Sequence, residues 1–381
     1  MKFKKIIGKI HLWLGFTSGL LVLFLGITGC ILAFEIEIRK LTEPHQYVKA
    51  EEKPFLPPSV LVPAAEKYFD GKKANSIEYK EKGKAALVSY YDEKNYKIVA
   101  VNPYSGKVQK AKNMNDDFFR IIVMGHYYLW LPPEIGQPIV ASATLIFLVM
   151  MISGLILWWP RNKGARKQRF TIKWNVRWRR KNYDLHNVLG FYMSWVAIFL
   201  AITGLVMGFQ WFARSVYWVS SGGKTMPPHI HPVSDTTKQL AVTYPADEIW
   251  KHLMPMAKEN ESVGIYFPLT NTDPIEGGIN HRPGTYYNSD YYHFDQYTLQ
   301  ELPATGIYAG KFADAAIEDK INRMNYDIHV GAVLGLPGKI LAFFASLIAA
   351  SLPVTGFYIW WGRRRKNKKF SGMENKVVTT G

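Results

Sequence analysis

Four histidines occupy repeated positions in this 381-residue sequence. His11 opens the pattern His-x-x-x-Gly-Phe, and His186 opens the same pattern 175 residues later. His126 and His329 each precede an apolar run that ends in Trp-Trp, and the two runs match at an offset of 202 residues. A neutral imidazole nitrogen is a good ligand for haem iron. Two imidazoles on opposite faces of the ring leave no open position for oxygen. The repeat therefore predicts paired axial ligands suited to electron transfer.

Glycines follow the first and third of these histidines at spacings that return to one helix face. Gly15 and Gly190 stand four residues after their histidines, so they share the same face. Gly29 and Gly204 stand eighteen residues after them, which is five turns and about 27 Å along the axis. A porphyrin lying against a helix needs a residue without bulk, so these glycines are predicted to line the haems. For Gly29 and Gly204, close packing between helices explains the spacing equally well.

Apolar runs predict an integral membrane protein with four spans, since a span needs roughly 20 apolar residues. The runs cover about residues 10–34, 138–159, 188–211 and 339–361. Cys30 is the one cysteine in the sequence, so no internal disulfide is possible. The segment Ile27–Cys30 looks like a lipoprotein cleavage site, but the apolar run continues through Phe34. We therefore expect the first span to be an uncleaved signal anchor.

The net charge of +17 is concentrated beside the predicted spans. Residues 1–9, 161–181 and 363–369 hold 20 of the 47 Lys and Arg residues and no acidic residue. Under the positive-inside rule these segments are cytoplasmic, as are both termini. Residues 35–137 and 212–338 then lie outside. The charge is explained by the membrane and requires no nucleic-acid partner.

The outer segments carry the pattern of small α+β domains. In the first, a helix is predicted over 59–69, with strands over 76–80, 85–91 and 96–101. In the second, the sequence indicates a helix over 245–259 and strands over 263–268 and 286–294, with an irregular insert over 271–284.

A helix followed by a strand hairpin ending in Asn102-Pro-Tyr-Ser-Gly-Lys-Val108 is similar to a PepSY domain. Two such domains between His-x-x-x-Gly-Phe spans resemble the PepSY-associated transmembrane proteins. That family includes iron-regulated inner-membrane proteins and ferric-siderophore reductases with two b-type haems. The resemblance implies a multi-pass protein of the bacterial inner membrane that acts as a haem-dependent oxidoreductase. Some relatives carry a fused flavin/NADPH reductase domain; we expect none here, so the donor is open between a cytoplasmic donor and a quinone.

The fold expected is an α-helical membrane protein, a four-span bundle built from a tandem duplication, with two small PepSY-like α+β domains on the periplasmic side. The spans are assigned to residues 1–36, 115–161 (with an amphipathic histidine segment), 183–213 and 315–362 (with a second such segment). The remaining segments are the periplasmic domains at 37–114 and 214–314, the cytoplasmic loop at 162–182 and the tail at 363–381.

Topology pairs the four histidines. His11 and His186 each begin a span that leaves the cytoplasm, whereas His126 and His329 each precede a span that returns to it. We therefore expect His11 with His186 at an inner haem and His126 with His329 at an outer one. Electrons would cross from the inner to the outer haem and reduce a periplasmic acceptor. By resemblance that acceptor is a ferric siderophore or another iron chelate.

Two other functions stay open on the sequence alone. One is a metal transporter, although the middles of the spans hold no Asp, Glu, Lys or Arg. The other is a PepSY-bearing membrane regulator or anchor without redox activity. Further histidines in the second outer segment are candidates for a metal ion, and the tyrosines near them for stacking on an aromatic siderophore. These residues are His229, His231, His281 and His293, with Tyr286, Tyr287, Tyr291 and Tyr292.

Overall fold

The computed structural model describes residues 2–160, 166 and 169–378, with side chains up to residue 364. Residues 162–165 and 167–168 of the predicted cytoplasmic loop at 162–182 therefore lie outside the described residues. The chain divides into two compact units. The helical unit comprises Met1–Ala33, Ile122–Gln210 and Ile328–Gly381, and the sheet unit comprises Phe34–Ile121 and Trp211–Asp327.

The helices are numbered here in chain order. They are α1 (Lys2–Ala33), α2 (Glu35–Thr42), α3 (Pro58–Glu66), α4 (Phe118–Tyr128), α5 (Pro133–Trp158), α6 (Trp178–Gly208), α7 (Gln210–Ser220), α8 (Pro245–Leu253), α9 (Ile317–Arg323), α10 (Asn325–His329) and α11 (Leu336–Val378). The strands are β1 (Ser76–Tyr79), β2 (Ala86–Tyr91), β3 (Tyr96–Val101), β4 (Val108–Asn113), β5 (Ser262–Tyr266), β6 (Ile275–Asn280) and β7 (Ser289–Phe294).

Four of these helices confirm the predicted spans. The helices α1, α5 and α6, together with α11 up to Arg364, are long and apolar enough to cross a membrane. Helix α1 contacts α5 and α11, and α6 contacts the same two helices. The four therefore form a ring in which α1 faces α6 across the bundle and α5 faces α11.

Glycines allow the helices of the bundle to approach closely. A methyl group at Gly26 of α1 would lie 2.7 Å from the carbonyl oxygen of Ser346 and 2.8 Å from the Cβ of Ala350, both on α11. Similarly, a methyl group at Gly208 of α6 would lie 2.7 Å from the Cβ of Ala141 on α5. Small residues at such crossings let the helix backbones approach closely. Such packing matters in a membrane because the hydrophobic effect does not drive helices together within lipid.

The sheet unit contains one antiparallel sheet of seven strands in the order β4-β3-β2-β1-β5-β6-β7. The first outer segment supplies β1 to β4 and the second supplies β5 to β7. Pairing of β1 with β5, in which Ile77 lies opposite Ile265, joins them. The two domains predicted from the sequence therefore share one sheet. Helices α3 and α8 contact one another and the sheet, and they cover a core that includes Leu61, Ile77 and Leu253.

Most of the local predictions for this unit hold, and two need correction. The predicted strands of the first segment appear as β1, β2 and β3, and α8 ends at Leu253 rather than at residue 259. The irregular insert expected over 271–284 is wrong, because Ile275–Asn280 forms β6 between β5 and β7. Its residues alternate between buried and half-buried. Gly277 gives room to Leu253 of α8, whose side chain a methyl group there would strike.

We predict that Gly26→Ala lowers the thermal unfolding midpoint of the detergent-solubilised protein, whereas Gly8→Ala on the same helix does not. Both changes gain about 1 kcal/mol of helix propensity. Only Gly26 meets backbone atoms, since a methyl group at Gly8 finds Leu157 Cδ2 at 3.9 Å. Overpacking of this kind costs about 1–3 kcal/mol. Equal midpoints for the two variants would contradict the close α1–α11 packing.

The β1–β5 pairing predicts a cross-link. Ser76 and Tyr266 are register partners, so S76C/Y266C in a C30S background should form an intramolecular disulfide on mild oxidation, visible as a linked peptide by mass spectrometry. The pair S76C/Y291C is the control, because β1 and β7 are three strands apart, about 14 Å. That distance exceeds the roughly 7 Å limit for Cα atoms joined by a disulfide. Cross-linking of the control alone would show that the sheet order is wrong.

Candidate functional site

The structure brings together the histidine pairs that the sequence predicts, all within the helical unit. His126 lies on α4 and His329 at the end of α10, and their ring centroids are 6.3 Å apart with an interplanar angle of 61°. His11 lies near the start of α1 and His186 near the start of α6, two spans that face one another across the bundle. The two pairs lie at opposite ends of the four spans.

A hydroxyl group on a neighbouring helix holds each of the four imidazoles. In every case the Nδ1 atom lies within hydrogen-bond distance of a serine or threonine Oγ. The pairs are His11 with Ser153 (2.8 Å), His126 with Thr28 (2.8 Å), His186 with Thr355 (2.8 Å) and His329 with Thr203 (3.0 Å). The sequence predictions included the histidines but missed these partners.

The hydrogen bonds of these hydroxyls determine which imidazole nitrogen carries the proton. Each hydroxyl donates its single hydrogen to a carbonyl of its own helix. The donor–acceptor pairs are Ser153 to Met150 (3.0 Å), Thr28 to Phe24 (2.9 Å), Thr203 to Phe199 (2.7 Å) and Thr355 to Ser351 (3.0 Å). A hydroxyl oxygen whose hydrogen is used in this way accepts from Nδ1–H, since a hydroxyl has one donor hydrogen and two lone pairs.

His329 provides an independent check on this assignment. Its Nδ1 also lies 3.0 Å from the backbone carbonyl oxygen of Leu200, which can only accept. The proton is therefore on Nδ1, and the lone pair is on Nε2. Ligand histidines are oriented in this way, with one ring nitrogen donating to a fixed acceptor and the other free to bind metal.

A glycine follows each of the four hydroxyl residues and lies against the imidazole. A methyl group at Gly204 or Gly356 would lie 3.3 Å from Cε1 of His329 or His186. The corresponding distances are 3.4 Å from Gly154 to His11 and 3.7 Å from Gly29 to His126. Gly29 and Gly204 thus make room for a histidine ring. Their predicted contact with a porphyrin stays a prediction.

Gly15 and Gly190, the other predicted glycines, face side chains of neighbouring spans. A methyl group at Gly15 would lie 3.2 Å from Met150 Cε, and one at Gly190 would lie 3.5 Å from Leu352 Cδ2. Both neighbours are the far ends of flexible side chains. These glycines therefore lie at equivalent places in the two halves, and their predicted role beside a porphyrin stays open.

The spacing of the outer pair is suited to one metal ion held between two imidazoles. A metal–imidazole bond is about 2 Å long and the ring centre lies roughly 1 Å beyond the nitrogen, so two rings on one metal have centroids about 6 Å apart. The observed separation of His126 and His329 is 6.3 Å. Their donor set, two neutral imidazoles with a free Nε2, fits the axial positions of haem iron.

Three of the other candidate histidines, all in the sheet unit, lie beside carboxylates. His281 places Nδ1 3.0 Å from Glu261 and Nε2 2.9 Å from Asp290. Burial works against protonation of His281, but these hydrogen bonds outweigh it and raise the pKa. His231 and His293 instead lie around one carboxylate, that of Glu276.

The predicted tyrosine cluster is only partly exposed. Tyr292 is buried in the core beneath α8, whereas Tyr286 is 65% exposed. Tyr286 packs edge-on against Tyr326, and Tyr291 packs edge-on against Tyr308. Tyr292 is therefore not available for stacking on a ligand.

Comparison with protein families identifies the chain. A family model described as PepSY-associated TM region matches residues 9–363. The chain belongs to this family. The match includes the four histidines and all four hydroxyl–glycine partners, and it confirms the family that the sequence resembles. No curated protein matches the sequence.

Proposed function

We propose that this PepSY-associated transmembrane protein transfers electrons across a membrane through two b-type haems. His11 and His186 would hold one, and His126 and His329 the other. The observation that carries the proposal is the fourfold repeat of a histidine whose Nδ1 is fixed by a hydroxyl and whose Nε2 is free. Haem bound in this way supplies a one-electron Fe(III)/Fe(II) couple with both axial positions filled.

The separation of the two pairs supports transfer across the bilayer. His11 and Thr28, the partner of His126, are seventeen residues apart on α1, which corresponds to about 26 Å along the helix. The hydrocarbon core is about 30 Å thick. The protein's own contribution is to fix the four imidazoles in position and to surround them with apolar helices that exclude water.

The charge pattern supports a direction of transfer. The basic segments at residues 1–9 and 363–369 favour a cytoplasmic location for the end of the bundle that carries His11 and His186. We place the protein in a bacterial inner membrane with both termini inside. A cytoplasmic donor or the reduced form of a quinone would supply one electron at that end.

The acceptor we favour is a ferric siderophore, or another iron chelate, in the periplasm. One electron converts its Fe(III) to Fe(II), which such chelators bind far less tightly, so the metal is released for uptake. The acceptor would need only to approach the end of the bundle that carries His126 and His329, which would hold the outer haem. The protein would then act as an oxidoreductase in iron uptake.

We predict that the purified protein contains two haems per chain by the pyridine haemochrome assay. His186→Ala should contain one, since it removes a ligand of the inner pair and leaves the outer pair intact. His252→Ala, which changes an exposed histidine of α8, should keep two. A colourless protein from cells grown with ample iron would favour a regulator or transporter. Two haems in His186→Ala would show that the pairing is wrong.

Removing one hydroxyl should change the haem that it supports. Thr355→Val keeps the shape of the side chain but removes the acceptor of the His186 Nδ1–H, so the imidazole becomes less basic and its orientation looser. Loss of such a partner costs about 10–100-fold in metal affinity. We expect faster haem loss and a higher midpoint potential in one of two redox transitions, followed by visible spectroscopy.

Two matched variants control this experiment. Thr355→Ser keeps the hydroxyl and should behave as the wild type. Thr17→Val removes an exposed hydroxyl of α1 that bonds only its own helix and should leave both transitions unchanged. If Thr355→Val and Thr17→Val give the same potentials, the hydroxyl–imidazole bond does not tune the site.

A further inference from the structure

A glutamate and a histidine, both residue types that bind metal ions, lie opposite one another on adjacent strands of the sheet unit. Glu276 of β6 and His293 of β7 are register partners. Ile275 and Phe294, their neighbours, belong to the core beneath α8. Because side chains alternate along a strand, Glu276 and His293 point to the opposite face of the sheet. Directly opposed side chains on antiparallel strands lie within contact distance.

A third such residue reaches this pair from a distant part of the chain. His231 follows Ile230, which forms a bridge with Thr305. Its Nδ1 lies 3.3 Å from Glu276 Oε1, and His293 Nε2 lies 3.9 Å from the same oxygen. One possible ligand atom from each of the three residues lies within 4.8 Å of the others. Donors around a metal with bonds of about 2 Å are roughly 3.3 Å apart, so small side-chain rotations would complete the site.

We propose that His231, Glu276 and His293 bind a divalent first-row transition-metal ion, of the class of Zn(II) or Fe(II). Two imidazoles and one carboxylate suit these ions, whereas Mg(II) and Ca(II) prefer oxygen donors. Three protein ligands leave a position open for water or a further donor. His229, whose ring centroid is 4.2 Å from that of His231, is close enough to supply one.

The arrangement differs from an ordinary ion pair in the same sheet. His281 has a separate carboxylate at each ring nitrogen, as an imidazolium cation requires. In the cluster, by contrast, two imidazoles share one carboxylate oxygen. Two imidazolium ions there would repel each other with one negative charge between them, whereas a single dication would be held by all three groups. The site does not depend on the proposed haems.

The test is zinc binding by the full-length protein, purified in detergent with any affinity tag removed. Titration calorimetry, with zinc content measured by mass spectrometry after dialysis, should show one more Zn(II) per chain in the wild type than in His231→Ala. Glu276→Gln and His293→Ala should weaken binding at this site at least tenfold. His252→Ala on the other face of the sheet should bind as the wild type does, and excess Mg(II) should not displace the zinc.

His231 is exposed, so His231→Ala should fold normally, which an unchanged thermal midpoint and haem content would show. Equal zinc binding by the wild type and a folded His231→Ala would overturn the proposal, as would displacement of the zinc by Mg(II). Loss of haem with retained zinc binding would count against the proposed electron transfer and would support the zinc site. Loss of zinc binding with full haem content is the result expected for the cluster variants.

Discussion

The hydrogen bond between a hydroxyl and an imidazole holds each of the four histidines of the bundle in place. A serine or threonine in a helix has one hydrogen, and here it goes to the preceding turn. The oxygen then accepts, which assigns the proton of the imidazole to Nδ1. Tautomer, ring direction and the free Nε2 all follow. The backbone hydrogen bonding of a span thus selects the chemical form of a side chain on its neighbour.

The same arrangement of hydrogen bonds occurs in both halves of the chain. Each hydroxyl lies on a different helix from its histidine, so the four contacts connect α1 with α5, α6 with α11, α4 with α1 and α10 with α6. The contacts of the first half, α1 with α5 and α4 with α1, are equivalent to those of the second half, α6 with α11 and α10 with α6. A histidine therefore cannot rotate without breaking a contact to another span. Such support from neighbouring helices is what a preorganised ligand site needs.

The sequence was sufficient for the spans and the family, and it drew attention to the four histidines, because these depend on long apolar runs and on an internal repeat. The hydroxyl partners could not be assigned in this way. Ser18-Gly19 is also a hydroxyl residue followed by glycine, on the same helix as Thr28-Gly29, yet Gly19 faces Pro353 rather than a histidine. Only tertiary contacts distinguish the two. Strand β6 was missed because Gly277-Gly278 has low strand propensity by itself and gains its place from Leu253.

The shared sheet has a consequence for how the chain matures. Strand β1 ends at Tyr79, but its partner β5 begins only at Ser262, after two further spans. At synthesis rates of about 5–20 residues per second, the ribosome needs roughly 10–40 s to bridge that gap. During this interval the backbone amides and carbonyls along one side of β1 are unpaired, and an unpaired strand edge can join with other chains. The nascent protein is therefore vulnerable to aggregation until β5 has been synthesised.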